Sequence, residues 1–156
     1  MKKSVTTNKI FNSTSVQLGF QGDGATRFIE EADYYLLINH QKSAYNKTFY
    51  INVGVIYKEL LCTRPSAQEL NGAFNVKNPT TEIHVDFRLD DFPGASQNLQ
   101  ETFDSLVKQH ELESIANVLM DNLKKLLSFM QKNYARDNIK SLRDQNKLSA
   151  MILKEV

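Results

Sequence analysis

A chain of 156 residues with 41% hydrophobic and 24% charged residues has the composition of one globular domain, so we expect residues 1–156 to fold as a single unit. Nineteen basic against eighteen acidic residues leave a formal net charge of +1, which argues against nucleic acid and anionic membranes as partners. Cys62 is the only cysteine, so no internal disulfide can form. With no signal-peptide pattern and no apolar run of about 20 residues, the sequence predicts a cytoplasmic protein.

The chain opens with a helical pattern followed by a turn. Apolar residues at helical spacing between Ser4 and Leu18 predict a first helix. Gly19, Gly22 and Gly24 superficially match a phosphate-binding loop, but such a loop follows a strand and opens a helix. Because the order here is reversed, these glycines indicate a turn.

Four segments have the composition of strands. Thr26 to Glu31, Tyr34 to Asn39 and Thr48 to Tyr57 are separated by short breaks, which predicts antiparallel hairpins because a parallel crossover needs about a dozen residues. The fourth segment, Glu82 to Leu89, alternates strictly between apolar and polar residues, so one face should meet the core and the other should face outward. The residues expected inward are Ile83, Val85, Phe87 and Leu89, and those expected outward are Glu82, His84, Asp86 and Arg88.

A long connection and two further helices complete the pattern. Residues 59–81 either contain a helical turn, for which Ser66 to Leu70 has a suitable start, or form a functional loop. The apolar stripe that begins at Leu112 predicts a long helix, and Arg136 to Lys154 predicts a final one. The residues of the stripe expected to pack on the sheet are Leu119, Leu123, Leu126 and Leu127. The predicted fold class is α+β: an antiparallel four-stranded sheet, preceded by one helix and followed by helices packed on one face.

The basic residues of the last third do not form an uninterrupted run. They alternate with Asp121, Asp137 and Asp144, which is typical of a solvated helix surface. Nucleic-acid binding through the last helix would require these basic residues to share one face. The basic residues concerned are Lys124, Lys125, Lys132, Arg136, Lys140, Arg143 and Lys147.

Catalytic and metal-binding residue types are scattered along the sequence. His84 and Asp86 project the same way on the fourth strand, but a metal site needs three or four ligands, and the other histidines are the distant His40 and His110. Cys62 has no base near it in sequence, which favours an unreactive, semi-buried thiol over a nucleophile. We therefore predict no metal, no cofactor and no catalytic residue.

Polar residues interrupt the two most apolar strands. Asn39, Gln41 and Asn52 either mark solvated strand ends or form a recognition surface, because a buried amide without a partner costs roughly 1–3 kcal/mol. Together with the polar face of the fourth strand they define a candidate binding site. Its members are Asn39, Gln41, Asn52, His84, Asp86 and Arg88.

Several short motifs resemble the bacterial family catalogued as DUF4304, a domain of unknown function. Leu18-Gly19-Phe20, the Asn39-x-Gln41-Lys42-Ser43 ending, the Phe49-x-x-Asn52-x-Gly54 strand and His84-x-Asp86-x-Arg88-Leu89 carry the resemblance, which spans about Ile10 to Leu89. Acidic Asp86 within the last motif and the lack of tryptophan are departures. The resemblance implies a bacterial origin and an α+β fold, and it brings no activity or catalytic residue.

Without a recognisable reactive centre, the sequence favours a non-enzymatic module that binds another protein through the outward sheet face. Toxin-neutralising immunity proteins are an analogous class of small bacterial proteins. The alternative is an enzyme or small-ligand protein whose site gathers around the same polar face. The sequence leaves the oligomeric state and the partner open.

Overall fold

The computed structural model describes residues 6–43, 48–75 and 77–156, and these form one α+β unit around an antiparallel sheet. The sheet has five strands in the order β1-β2-β3-β4-β5, so strands that are consecutive in sequence are neighbours in space. The strands are β1 (Thr26–Glu30), β2 (Tyr34–Lys42), β3 (Phe49–Tyr57), β4 (Val85–Arg88) and β5 (Met151–Ile152). The helices are α1 (Thr7–Gln17), α2 (Ala67–Asn71), α3 (Leu99–Lys108), α4 (Leu112–Asn133) and α5 (Arg136–Asp144), with 3-10 turns at Lys58–Leu60 and Leu89–Asp91.

The predicted sheet is confirmed in its class and corrected in its strand count. The final helix ends at Asp144 rather than continuing to Lys154, because the chain turns back at Asn146, which adopts a left-handed conformation with φ 59°. Asparagine tolerates this conformation better than most residues do. The chain then forms β5, whose Met151 pairs with Asp86 of β4 and adds a fifth strand.

The main core lies between the inner face of the sheet and the long helix. Val53, Val55 and Val85 point inward and are fully buried, as are Leu119 and Leu123 of α4. The stripe predicted for this helix is therefore confirmed as core, although Leu127 is only partly buried. Helices α1, α3 and α5 contribute further apolar residues to the same cluster.

A buried arginine ties the first helix to the turn that follows it. Arg27 is 8% exposed and donates hydrogen bonds from Nη1 to the Gly22 carbonyl at 2.6 Å and from Nη2 to Asn12 Oδ1 at 3.0 Å. Gly22 has φ 105°, which only glycine adopts readily, and Gly24 also has a positive φ. The predicted turn is confirmed, and its carbonyls satisfy the buried guanidinium.

The outer face of the sheet is covered over part of its area. Ser66 begins α2 with a capping box that includes Glu69, so the helical turn predicted inside residues 59–81 is present. Leu70 of α2 packs on Tyr35 and Leu37 of β2 in a second, smaller apolar cluster. This short helix lies between β3 and β4 in the chain and packs on the face opposite the main core, whereas the helices that follow the predicted strands pack on the main core. Only the remaining part of the outer face is open.

Candidate functional site

The open part of the outer face carries a row of hydrogen-bonded polar side chains across three strands. Asn39 of β2 pairs with Thr26 of β1 on one side and with Asn52 of β3 on the other. Asn52 Nδ2 donates to Asn39 Oδ1 at 3.1 Å and to Gln41 Oε1 at 2.9 Å, and Asn39 Nδ2 donates to Thr26 Oγ1 at 2.9 Å. These bonds fix the amides in place, while Gln41 stays exposed.

A cation–aromatic pair continues this row toward β4. Arg88 lies opposite Asn52, and its guanidinium carbon is 4.2 Å from the centroid of the Tyr50 ring. Tyr50 is itself opposite Gln41. The pair presents the exposed positive charge of Arg88 above an aromatic ring. We refer to Asn39, Gln41, Tyr50, Asn52, Asp86 and Arg88 as the polar sheet face.

Asp86 lies in the neighbouring cross-strand row, in a more apolar setting. Gly54 of β3 is opposite it on one side and Met151 of β5 on the other. A Cβ atom at Gly54 would lie 3.0 Å from Ile83 Cγ2 and 3.1 Å from Phe74 Cζ, so these two side chains occupy the space above the glycine. Burial raises the pKa of the Asp86 carboxyl above its ordinary value.

His84 is the predicted site residue that the structure removes from this surface. It lies just before β4, is only 3% exposed, and accepts a hydrogen bond at Nδ1 from the Tyr57 backbone N–H at 2.9 Å. Its burial lowers the pKa of the imidazole, because a low-dielectric setting disfavours the charged form. The strand alternation placed His84 outward, but the chain is not yet in the strand there, and the side chain serves as a buried acceptor.

The other reactive residue types lie apart from one another. His40 is 8% exposed, with Nε2 2.9 Å from Thr7 Oγ1 and its ring stacked on Phe49, whereas Cys62 is exposed rather than semi-buried. Cys62 lines a hollow of about 230 Å³ that also involves Glu30 and Arg64. Within residues 6–43, 48–75 and 77–156, no group of three or more His, Cys, Asp or Glu side chains is placed to hold a metal ion.

Sequence reasoning missed a cleft of about 550 Å³ at the opposite end of the sheet. Tyr134 donates a hydrogen bond from its hydroxyl to Asp33 Oδ2 at 3.0 Å, and Tyr57 donates from its hydroxyl to the Tyr134 carbonyl at 2.7 Å. Arg136 Nη1 donates to Glu59 Oε1 at 3.0 Å on the same wall. We call this cavity the tyrosine cleft. Its residues come from segments far apart in sequence, so no local motif could have identified it.

Hydrogen bonding and burial raise the pKa values of the tyrosines in this region. The hydrogen bond to Asp33 raises the pKa of Tyr134, and burial raises the pKa of Tyr57. Burial also raises the pKa of Tyr34, which stacks on Tyr134 with ring centroids 4.9 Å apart, to about 12. All three hydroxyls therefore stay protonated at neutral pH, as donors rather than as bases. None of the residues of the polar sheet face lines either cavity.

Fold and surface together define a small α+β domain with a partly covered antiparallel sheet. The chain belongs to the family described as Domain of unknown function (DUF4304), whose model matches residues 15–128, well over half of the 156 residues. No curated protein and no solved structure is significantly similar to the chain. Among the described helices, none has both the length and the apolar character needed to cross a bilayer.

Proposed function

We propose that this domain is a non-enzymatic binding module that contacts another protein through the polar sheet face. The observation that carries the proposal is the ordered polar row on the open part of the outer face, where Asn52 bonds to both Asn39 and Gln41. Side chains already held in one conformation lose less entropy on association, so such a surface binds with a smaller ordering cost.

The composition of this surface also supports the proposal. Arg88 and Tyr50 are of residue types enriched at interface hot spots, and here the exposed Arg88 lies over the half-buried Tyr50 ring. The surrounding amides offer both donors and acceptors, as the polar rim of a non-obligate interface does. A domain of this kind acts by covering its partner, which is also how toxin-neutralising immunity proteins act, and we extend the proposal to that type of role by analogy.

The test compares Arg88→Ala with Lys124→Ala in binding to the partner. Lys124 is an exposed residue of α4 on the other side of the molecule, which makes it a matched control for the loss of one positive charge. The partner is first recovered by pull-down from the source cells with the unmodified protein and then purified. We expect Arg88→Ala to weaken binding by about 2 kcal/mol, roughly thirtyfold, while Lys124→Ala changes it by less than about half a kcal/mol.

Both variants must unfold at the same denaturant concentration as the unmodified chain, so that a binding change is not a folding change. Equal affinity of the Arg88→Ala and Lys124→Ala variants for the partner would contradict the proposal. A merely solvated sheet face would give that result.

The tyrosine cleft favours a second candidate, a small-ligand protein or enzyme. At about 550 Å³ the cleft lies within the usual size range of ligand pockets. This alternative moves the site away from the polar sheet face, to Asp33, Tyr134 and Arg136. A function that depends on the Tyr134 hydroxyl, and is lost in Tyr134→Phe but kept in Arg88→Ala, would favour the cleft over the sheet face.

A further inference from the structure

Asp86 is a carboxylate held between apolar groups on an otherwise hydrogen-bonded surface. In its cross-strand row, Gly54 leaves room for Phe74 and Ile83 on one side. Met151 follows directly on the other side. The acid therefore lies in a shallow slot whose two sides are apolar, and it is partly shielded from solvent.

Nothing in the described part of the chain neutralises this carboxylate. The Asp86 carboxylate takes part in no hydrogen bond and no ion pair among residues 6–43, 48–75 and 77–156. Arg88 lies two residues further along the same face of β4, but its guanidinium is held over the Tyr50 ring instead. Burial alone raises the pKa of Asp86. A partly desolvated acid without a counter-charge carries a free-energy cost that an incoming cation would remove.

The side of the slot formed by Met151 is open to solvent. Met151 is 77% exposed, and it is one of two large hydrophobic residues in the described chain that are exposed. Methionine is flexible and polarisable, so it adapts to the shape of what contacts it. Long basic side chains have an aliphatic stem that packs on such groups while the charged end reaches an acid.

We propose that Asp86 and Met151 form a slot for a basic side chain of the partner protein, arginine in preference to lysine. The proposal rests on the proposed function, because it names the chemistry that the polar sheet face recognises. Arginine fits better for two reasons. Its guanidinium is more weakly hydrated than an ammonium, and it can donate two parallel hydrogen bonds to one carboxylate. The stem of the arginine lies along Met151, and its guanidinium meets the Asp86 oxygens.

The slot can be tested on the purified protein with N-acetyl-arginine N-methylamide as the probe. Methionine methyl groups are labelled with carbon-13 and followed by NMR, with the Met151 signal assigned from the Met151→Leu variant. Met130 is fully buried in the core and serves as an internal reference that should not move. We expect a saturable shift of the Met151 methyl at millimolar probe concentration, as for a single weak contact. The neutral citrulline analogue should give none.

Two carboxamide variants decide whether the carboxylate carries the interaction. Asp86→Asn should weaken binding of the probe at least about tenfold, since the substitution keeps the shape of the side chain and removes its charge. Asp121→Asn is the matched control, because Asp121 is an exposed acid of α4 whose side chain is 59% accessible, and it should leave the titration unchanged. Equal shifts with the citrulline analogue, or an unchanged titration in Asp86→Asn, would refute the slot.

Binding measurements with the purified partner distinguish failure of the slot from failure of the proposed function. We expect both Arg88→Ala and Asp86→Asn to weaken partner binding. If Arg88→Ala weakens it and Asp86→Asn does not, the slot is refuted while the binding face stands. If neither variant changes partner binding, the proposed function itself fails.

Discussion

The imidazole of His84 accepts a hydrogen bond at Nδ1 from the backbone N–H of Tyr57, 2.9 Å away, and stacks on the ring of the same residue. The bond joins the segment before β4 to the end of β3. It requires a neutral imidazole with an unprotonated Nδ1, because a protonated ring has no acceptor. A residue that the sequence placed on the binding surface is thereby a structural acceptor with a defined protonation state.

This bond predicts that the protein loses stability as the pH falls through the range in which histidine titrates. Burial lowers the pKa of both His84 and His40 below the ordinary value of 6.5. The unfolded chain therefore binds protons first, so the histidine contribution is fully present above about pH 6.5 and is lost as the pH falls toward the lowered values. Chemical denaturation at several pH values between about 7.5 and 5.5 measures the effect.

The matched variant for this prediction is His84→Gln, which cannot be protonated. Its free energy of unfolding should change less with pH over the same range than that of the unmodified chain, because residue 84 no longer titrates. Identical pH dependence in both proteins would show that His84 does not contribute.

The packing of the long helix makes a second prediction. Leu123 is fully buried in the main core, so Leu123→Ala should lower the free energy of unfolding by about 2–5 kcal/mol through lost burial and the cavity left behind. Urea denaturation measures the change. Lys124→Ala, one residue away on the exposed side of α4, should shift it by less than about half a kcal/mol. Similar values for the two variants would mean that the stripe is not core.

A third prediction concerns Gly54, which lies beneath the side chains that cover part of the outer sheet face. A side chain there would meet Ile83 and Phe74 at 3.0–3.1 Å, closer than ordinary contact. Gly54→Val should therefore destabilise the fold by about 1–3 kcal/mol through overpacking. Combining it with Ile83→Ala should recover part of the loss, because the shortened side chain makes room. Strictly additive effects in a double-mutant cycle would contradict direct packing of these residues.

Local sequence patterns correctly predicted the strands and helices whose formation depends on residues close to one another in the sequence. The alternation of β4 correctly placed Val85 and Phe87 inward and Asp86 and Arg88 outward, since side chains alternate along any strand. The apolar stripe of α4 and the start of α2 at Ser66 were likewise readable from spacing and capping residues. The hairpin that joins β2 to β3 was likewise predicted from the short break between them, whereas the register that pairs Asn39 with Asn52 is a finding of the structure.

Tertiary structure alone decided what surrounds each of these faces. Period-two alternation says which side of a strand a residue faces, but not which distant segment covers that side. Leu70 and Phe74 cover one part of the outer face, and β5 brings Met151 beside Asp86, through contacts between segments far apart in the chain. The same is true of the tyrosine cleft and of His84, whose acceptor role depends on a backbone amide 27 positions away. Such pairings are selected by the packing of the whole domain, so no local sequence signal contains them.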